Sequence, residues 1–378
     1  MRRKIIVAAI LLVAVIAAGI GGFIRYRHSE GYLIGVLAGP GDSNVTLGDT
    51  DPRVSAMNEL YYGKYDPGPV VPVLLKLLDD PSQSIQTNAM KYLGYFGDPR
   101  AIDPLLARFD AAKDSDAAKE VANVLVGFGA PVVQPFIERL TSPEPQLRAV
   151  SAAALGWMVQ GLFTTDRTDR NAAKAAVERS AVELLIPLLD DPVADVRVST
   201  ADAMGRIGDQ RFLAPLIAGL PMQADQALEV FARAISYYRD AAVAALGPAL
   251  KSPDASARRS AAAAMAAVAD IATYDIASVG SSYVEGARAA LDQSMQGKDL
   301  AVGAGGYEYY IVRGNRDAVD FLKASLDAYG DQRMATWLLN CGMSPLEDAA
   351  KAWASARGFT INTRTQATRS TYKWGGNR

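Results

Sequence analysis

Residues 190–220 read DDPVADVRVSTADAMGRIGDQRFLAPLIAGL and contain the pattern that decides the predicted fold. In the first half, residues suited to one buried helix face recur at spacings of three and four; they are Val196, Thr200, Ala203, Met204 and Ile207. A second apolar run follows the pair Gly208–Asp209, where the first helix is expected to end. Its members are Phe212, Leu213, Leu216, Ile217 and Leu220. The stretch predicts two antiparallel helices, neither of which can bury its apolar stripe alone.

The same arrangement recurs along the chain. Four segments that fit one template begin at Pro81, Pro143, Pro192 and Pro253. Twelve residues after each proline stands a leucine or methionine, and the next residue is small. The small residues are Gly94, Gly156, Gly205 and Ala266. Self-similarity at a fixed period indicates a solenoid, which offers an extended binding surface.

The intervals between the prolines give the repeat length and locate an insertion. The intervals 81–143 and 192–253 are 62 and 61 residues long, so each holds two repeats of about 31 residues. The interval 143–192 is 49 residues long, which implies an insertion of roughly 18 residues. We place the insertion near residues 160–171, which form a polar, charged stretch. The array is predicted over residues 51–358, with atypical repeats at its ends.

The aspartate and proline that open a repeat are expected to start its first helix. In the pair Asp191–Pro192, the proline suits the first helical turn, where its missing N–H costs nothing. The aspartate is expected to cap that turn and complement the helix dipole. Carboxylate pairs such as Asp79–Asp80 recur in phase with the repeat. Capping therefore explains them better than acid–base chemistry or calcium binding.

Residues 89–106 and 201–217 resemble HEAT-like repeats of the phycobilisome-lyase type. Asp191, Pro192, Val196 and Arg197 match the HEAT pattern. Arg148 and Arg258 hold the place of Arg197 in their own repeats, and Gln86 departs from the pattern. The resemblance implies an all-α fold, a right-handed α–α superhelical solenoid of HEAT-like helix pairs. Such repeats occur in lyases, adaptors and scaffolds alike, so no single activity follows from them. The recurring arginines are predicted to tie neighbouring loops together.

The N-terminus carries a membrane signal. Arg2, Arg3 and Lys4 precede an uncharged apolar run from Ile5 to Ile24. A helix of that length spans about 30 Å, the thickness of a bilayer's hydrocarbon core. Residues 1–30 are therefore predicted to be a transmembrane anchor, with a cleaved signal peptide as the alternative, and residues 31–50 a linker. The basic residues before the run favour a cytoplasmic N-terminus and an extracytoplasmic, periplasmic solenoid.

The chain has few residues from which to build an active site. It contains one histidine, His28, and one cysteine, Cys341. These numbers exclude a Ser–His–Asp triad in the solenoid and the usual zinc spacings. The formal net charge is −2, which creates no global field that would attract nucleic acid. We therefore expect a protein that is not an enzyme and has no cofactor, no metal and no nucleic-acid partner.

Two groups of residues are candidates for binding a partner. Tyrosine offers a large contact area with a polar tip, and the candidate tyrosines are Tyr92, Tyr95, Tyr237, Tyr238, Tyr307, Tyr309 and Tyr310. Burial between helices is the alternative role for these side chains. The second group lies in the basic tail, residues 359–378, which is expected to be irregular. Its candidates are Arg364, Arg369, Lys373 and Trp374.

These observations lead to one main hypothesis and two alternatives. The main hypothesis is a membrane-tethered, extracytoplasmic protein-binding scaffold or accessory subunit of an envelope complex. The first alternative is a lyase- or chaperone-like protein that acts on a cofactor-bearing partner, which predicts a deep pocket with convergent polar groups. The second is a periplasmic receptor for an envelope polymer that uses the tyrosines and the basic tail.

Overall fold

A computed structural model describes residues 28–39, 51–161, 167–220, 225–270 and 281–359 of the 378-residue chain. All regular secondary structure within these ranges is helical. The chain divides into two compact units, residues 1–132 and 133–378. The all-α prediction is confirmed for the described residues.

The first unit contains six described α-helices. They are α1 (Glu30–Ala38), α2 (Pro52–Tyr62), α3 (Pro67–Leu77), α4 (Gln83–Phe96), α5 (Ile102–Asp110) and α6 (Ser115–Leu125). Helices α2, α4 and α6 are successive neighbours, and α3 and α5 pack against α4 and α6 respectively. Short 3₁₀ turns lie at Pro99–Ala101, Val126–Phe128 and Ala130–Val132.

The second unit contains the remaining helices of the described residues. They are α7 (Val133–Arg139), α8 (Pro145–Gln160), α9 (Arg167–Ser180), α10 (Val182–Leu185), α11 (Ala194–Ile207), α12 (Leu213–Gly219), α13 (Asp225–Ser236), α14 (Asp240–Ala249), α15 (Ala255–Asp270), α16 (Ser282–Gln296), α17 (Leu300–Gly305), α18 (Tyr307–Arg313), α19 (Ala318–Tyr329), α20 (Gln332–Leu339) and α21 (Ser344–Ala356). Short 3₁₀ turns lie at Ile186–Asp190 and Gln210–Phe212.

The helices of the second unit stack in two layers. In the first layer α8, α11, α13, α15 and α17 are successive neighbours. In the second layer α12 contacts α14, and α14 contacts α16. The second-layer helices α12 and α14 pack against the first-layer helices that follow them, α13 and α15, and α15 also packs against α16. This is the predicted stack of helix pairs.

The small residue of the template allows neighbouring first-layer helices to approach closely. A methyl group on Gly205 would lie 2.7 Å from the Cα atom of Ala234 on the next helix. A methyl group on Gly156 would lie 2.8 Å from the Cα atom of Ala203. Both distances are shorter than ordinary carbon–carbon contacts of about 3.5–4.0 Å. Glycine is therefore required at these two positions because backbone atoms occupy the space of a side chain.

The predicted role of Asp191 and Pro192 as cap and first helical residue is wrong. Helix α11 begins at Ala194, and Val193 is its N-cap residue, so Pro192 precedes the helix. The Asp191 carboxylate accepts a hydrogen bond from the Val193 backbone N–H over 2.9 Å and closes a turn before the helix. An aspartate readily forms such a turn with the amide two residues on, and here that turn replaces the cap. The predicted arrangement occurs instead at Asp51, which accepts from the Arg53 N–H with Pro52 at the start of α2.

Arg148 and Arg258 tie neighbouring repeats together as predicted, whereas the hydrogen bonds of Arg197 go to the backbone oxygens of Asp191 and Pro192 in its own loop. The guanidinium of Arg148 donates to the backbone oxygens of Ser142 and Pro143 in its own loop, over 2.8 and 3.0 Å. It also donates two bonds to the carboxylate of Asp191 in the next repeat, over 2.8 and 3.1 Å. Arg258 makes the same contacts with its own loop and donates to the Asp299 carboxylate over 2.9 Å.

Gln86 departs from the arginine pattern in sequence but not in local function. Its side-chain N–H donates to the backbone oxygen of Asp80 over 2.6 Å. That oxygen lies six residues before Gln86, as the oxygen of Ser142 lies six residues before Arg148. The Gln86 amide therefore keeps the hydrogen bond to its own loop. It has no positive charge with which to pair with a carboxylate of the next repeat.

Two predicted irregular segments contain helices. The predicted linker, residues 31–50, begins within helix α1, whose Leu33 and Leu37 side chains are buried. This helix packs against α2 and α3. The predicted insertion, residues 160–171, extends into helix α9, which is additional to the repeat pattern, and residues 162–166 lie outside the described ranges. The linker prediction missed that the sequence EGYLIGVLA is apolar enough to form and dock a helix. The polar composition of the insertion was misleading because one apolar face, with Ala173 and Val177 buried, suffices to dock α9.

No helix within the described ranges combines the length and the apolar character that crossing a bilayer requires. The predicted anchor from Ile5 to Ile24 lies outside the described residues, as do residues 360–378 of the basic tail.

Candidate functional site

The second unit contains a cavity of about 440 Å³ between successive repeats. Its walls come from α13, α15 and α18, with two residues from α17 and single residues from α16 and α20. Ligand-binding cavities in proteins commonly measure about 300–1,000 Å³. The cavity is therefore large enough for a small ligand or for several side chains of a bound segment.

Alanines keep the cavity open. Helix α15 contributes Ala263 and Ala267, which lie one helical turn apart and are partly exposed. Ala232 from α13 and Ala304 from α17 also line the cavity. In a core, larger side chains would fill this volume to normal packing density. The alanine-rich run of α15 therefore creates a recess on the face that it turns toward the cavity.

A break between two short helices positions the polar part of the site. Helix α17 ends at Gly305 and α18 begins at Tyr307, with Gly306 between them. A side chain on Gly305 would overlap the backbone oxygen of Arg259, so α17 packs against α15 without an intervening side chain. Tyr307 and Glu308 therefore enter the cavity directly beside α15. The glycine-rich segment 303–306 is thus a packing feature and a helix break.

A network of charged groups lines the cavity, and their side chains range from 25% exposed at Arg333 to 55% at Glu229. Arg333 donates to the carboxylate of Glu308 over 3.1 Å and to that of Glu229 over 2.9 Å. The hydroxyl of Tyr307 donates to the same Glu308 oxygen over 3.3 Å. Arg259 pairs with Asp331, which also accepts from the Met334 N–H and so caps α20. Glu229 and Arg333, which are 104 positions apart in the sequence, are thereby joined in one network.

Burial changes the acidity of two groups in this network. Desolvation raises the pKa of Glu308, and the carboxylates of Glu229 and Asp270 raise it further, while Arg333 and Tyr307 lower it. The net direction is upward because the cation does not compensate for the loss of water. Burial also raises the pKa of the Tyr307 hydroxyl well above its usual value. Tyr307 is therefore a hydrogen-bond donor at neutral pH.

One donor in the cavity has no hydrogen-bond partner among the described residues. The Nε atom of Arg259 is buried and makes no hydrogen bond there, while another nitrogen of the same guanidinium binds Asp331. An unsatisfied buried donor costs about 1–3 kcal/mol.

The rim of the cavity is basic and aromatic. Arg233 and Arg313 lie on the rim with 51% of each side chain exposed. Arg288 also lines the cavity, and the guanidinium of Arg313 lies 5.9 Å from the centre of the Tyr309 ring. Tyr237 adds a ring that is 41% exposed. The exposed part of the site therefore presents positive charge next to aromatic surface.

Three of the seven predicted tyrosines belong to this cavity; they are Tyr237, Tyr307 and Tyr309. Of these three, Tyr307 and Tyr309 are buried in the wall and only Tyr237 is exposed. Tyr238 and Tyr310 are buried away from the cavity, and their hydroxyls donate to the backbone oxygens of Met204 and Leu291 over 2.9 and 2.8 Å. Their burial between helices matches the alternative role given to tyrosines above.

The two predicted tyrosines of the first unit lie in an aromatic cluster. Tyr92 is buried and its hydroxyl binds the side chain of Asn58. Tyr95 is 48% exposed, and its ring centre lies 5.0 Å from that of Tyr61. The tail candidates Arg364, Arg369, Lys373 and Trp374 lie outside the described residues.

Sequence reasoning did not find the charged network. Glu229, Arg259, Glu308 and Arg333 come from four different helices, so no local spacing links them. Two features of the sequence could have indicated the site. They are Arg259, the second arginine of the pair Arg258–Arg259, and the alanine run that follows it. The described residues contain no group of three or more potential metal ligands.

The helix pairs, their glycine contacts and their arginine ties define a helical repeat protein with a groove in its second unit. The family of HEAT repeats matches residues 46–126 and 133–236. The chain is therefore a HEAT-repeat protein. No curated protein sequence matches it.

Several solved structures are similar to the chain at low scores. Human deoxyhypusine hydroxylase in complex with glycerol is 18% identical with a TM-score of 0.28, over 65% of this chain and 98% of that one. The complex of CpcE and CpcF of phycocyanin lyase from a Nostoc species is 18% identical with a TM-score of 0.33, over 68% and 94%. A Kap121p mutant is 12% identical with a TM-score of 0.25, over 85% and 45%. Such scores carry no argument about activity.

Proposed function

We propose that this chain is a non-enzymatic scaffold that binds a protein partner in the groove of its second unit. The observation that supports this function is the cavity of about 440 Å³ with exposed Tyr237, Arg233 and Arg313 at its rim. Aromatic residues and arginine are the types most enriched in binding hot spots. A stacked array also holds such a groove rigidly, because each repeat is fixed by its neighbours.

We further propose that the predicted N-terminal helix tethers the scaffold to a membrane, with the solenoid on the extracytoplasmic side. The support is the apolar run from Ile5 to Ile24 and the basic residues before it. A tether raises the effective concentration of the groove toward partners in the same membrane. The proposed role is that of an accessory subunit of an envelope complex, without a nucleic-acid partner.

A photo-crosslinking experiment tests the position of the partner. A benzophenone amino acid replaces Tyr237 in one variant of the full chain and Tyr329 in another; the two side chains are 41% and 40% exposed, and Tyr329 is outside the cavity. In native membranes we expect position 237 to give one defined protein adduct and position 329 to give none. A second substitution, Ala267→Phe, should abolish the adduct by filling the cavity. Equal labelling at both positions would contradict the proposal.

The membrane tether has its own test. The full chain should remain in the membrane fraction after carbonate extraction, and its solenoid should be cleaved by protease added to the extracytoplasmic side. A variant that lacks residues 1–27 should be released into the soluble fraction. Recovery of the intact full chain in the soluble fraction would refute the tether.

One observation favours a second candidate, a lyase- or chaperone-like protein acting on a cofactor-bearing partner. The cavity contains convergent polar groups, Tyr307, Glu308 and Arg333, as that alternative predicts. Visible absorbance that co-purifies with the intact chain and disappears with Ala267→Phe would support this candidate over the scaffold. The polymer receptor remains a prediction that depends on the basic tail.

A further inference from the structure

We propose that the groove selects an acidic peptide segment with one apolar anchor residue. The anchor enters the alanine-lined cavity, and flanking carboxylates bind Arg233, Arg288 and Arg313 at the rim. This inference rests on the proposed function, since it names the chemical class of the partner segment.

The first argument concerns the availability of Arg233. Its guanidinium lies 3.4 Å from the Asp202 carboxylate, which already accepts a hydrogen bond from Arg206 over 2.6 Å. The longer contact is the weaker one, and surface ion pairs contribute little to stability. Arginine has five N–H donors and binds an incoming carboxylate through two of them. Arg233 can therefore engage a ligand without leaving Asp202 without a partner.

Arg313 is in the same situation. It lies 3.6 Å from the Asp292 carboxylate, which accepts a closer hydrogen bond from the Tyr309 hydroxyl over 2.9 Å. The third rim arginine, Arg288, pairs with Glu285 over 2.8 Å through one nitrogen. The three arginines thus lie around one opening, and each has N–H donors left over from its contacts within the protein.

The acidic residues of the cavity do not cancel this charge. The cavity lining contains five arginines and four acidic residues. Glu229 and Glu308 share Arg333, and Asp331 pairs with Arg259, so two arginines serve three of the acids. Asp270, at the end of α15, is the fourth acid and faces the same cavity. The five arginines of the lining exceed its four acids by one, and this excess charge comes from the rim arginines.

The ligand needs an apolar anchor residue because the cavity lining between the arginines is apolar. Ala263 and Ala267 form a smooth recess on α15, and Leu228 and Val312 line it from the two sides. Burying an apolar side chain here removes about 25 cal/mol of unfavourable hydration per square ångström. A purely acidic segment would leave this recess unfilled. The anchor residue therefore supplies affinity, and the carboxylates supply selectivity.

The walls favour an extended segment over a small molecule. Arg233 lies on α13 and Arg313 on α18, with α15 between them. Packed helices lie about 8–10 Å apart, so the groove crosses roughly 16–20 Å. An extended chain advances about 3.3 Å per residue, which gives a segment of about six residues.

Synthetic peptides provide the probes. A fluorescein-labelled hexapeptide with a tryptophan and five acidic residues is compared with two matched hexapeptides. One has lysines in place of the acids, and the other has alanine in place of the tryptophan. We expect the acidic tryptophan peptide to bind the full chain at least about tenfold tighter than either, with affinity that falls as salt is added.

Variants place the binding in the groove. Arg233→Glu and Arg313→Glu should each weaken binding of the acidic tryptophan peptide by about tenfold, because like charges then face each other. Ala267→Phe should weaken it similarly by filling the recess while the rim keeps its charge. Arg316→Glu is the matched control, since Arg316 is exposed and does not line the cavity. Circular dichroism of each variant verifies folding.

Three results would overturn the inference. The first is equal affinity for the acidic and the lysine peptide. The second is binding that survives both Ala267→Phe and Arg233→Glu. The third is equally tight binding of indole-3-propionate, which would make the groove a site for a small carboxylate.

The test is separate from that of the proposed function. If Tyr237 crosslinks a partner but the lysine peptide binds best, the scaffold stands and the acidic class is wrong. If the acidic tryptophan peptide binds as expected but no position-specific adduct forms in membranes, the selectivity stands and the proposed partner function fails.

Discussion

Replacing Gly205 by alanine should force two stacked helices apart. The new methyl group would lie 2.7 Å from the Cα atom and 2.9 Å from the Cβ atom of Ala234, and 3.0 Å from the Tyr237 ring. An ordinary carbon–carbon contact needs about 3.5 Å, so α11 and α13 must separate by about 0.8 Å. The obstacle is a backbone atom, which cannot rotate away as a side chain can.

The expected magnitude combines two opposing contributions. Overpacking a tight contact costs about 1–3 kcal/mol. Alanine recovers up to about 1 kcal/mol over glycine within a helix. The free energy of unfolding should therefore fall by about 0–2 kcal/mol in Gly205→Ala.

Gly286→Ala is the matched control. A methyl group on Gly286, within helix α16, would meet only the side chain of Val243, at 3.5 Å, which is an ordinary contact. This variant should gain up to about 1 kcal/mol from helix propensity alone. The two variants should therefore differ by about 1–3 kcal/mol, which is the steric contribution.

Urea unfolding followed by circular dichroism measures the stabilities of both variants. Hydrogen exchange supplies a local readout, because Gly205→Ala should speed exchange in α11 and α13 first. Equal stabilities of the two variants would refute the conclusion that the close helix contact at position 205 requires glycine. Faster exchange spread evenly over the unit would refute it as well.

Three further predictions follow from single contacts. Arg148→Ala should lower the free energy of unfolding by about 3 kcal/mol, because it removes a largely buried partner of Asp191. Burial raises the pKa of Asp191, but the bonds from Arg148 and the Val193 N–H outweigh it and lower the pKa overall. The stability that the ionised Asp191 contributes is present above its unfolded pKa and is lost as pH falls. Urea unfolding should therefore show a smaller difference in stability between Arg148→Ala and the natural chain in acid. The pKa of Glu308 is raised in the folded chain, so ionisation of Glu308 destabilises the fold as pH rises. Glu308→Gln should therefore gain stability relative to the natural chain when the pH is raised from acidic to neutral. A relative loss of stability in urea unfolding would mean that the contact with Arg333 dominates. Tyr238→Phe should cost about 1 kcal/mol in the same assay, since its hydroxyl bond to a backbone oxygen is buried.

The repeat architecture was predictable because the same short pattern of residues occurs in several repeats. The small residue at Gly94, Gly156 and Gly205 recurs with the period of the array, so a tight contact repeated at each level leaves a visible pattern. The tie from Arg148 to the next repeat was also predictable, since the arginine holds the same place in several repeats. The start of helix α11 was not, because Asp191 can form either a cap or a turn and only the backbone path selects one.

The candidate site was only partly predictable. Tyr237, Tyr307 and Tyr309 stood out as aromatic clusters, and the structure brings them to one cavity. The same criterion also selected Tyr238 and Tyr310, which lie outside the cavity and bind backbone oxygens through their hydroxyls. Tyr309 and Tyr310 are adjacent on α18, and adjacent residues of a helix point about 100° apart, so only Tyr309 lines the cavity.

The class of fold, the repeat length and the residues that join one repeat to the next could be inferred from the order of amino acids alone. These properties depend on short spacings and on contacts that recur at every level of the stack. The alanine-lined cavity of the second unit, and the contact of Glu229 and Glu308 with Arg333 in it, could be found only from the packed helices. Those residues are far apart in the chain and occur once, and the stacking of helices alone brings their charges together.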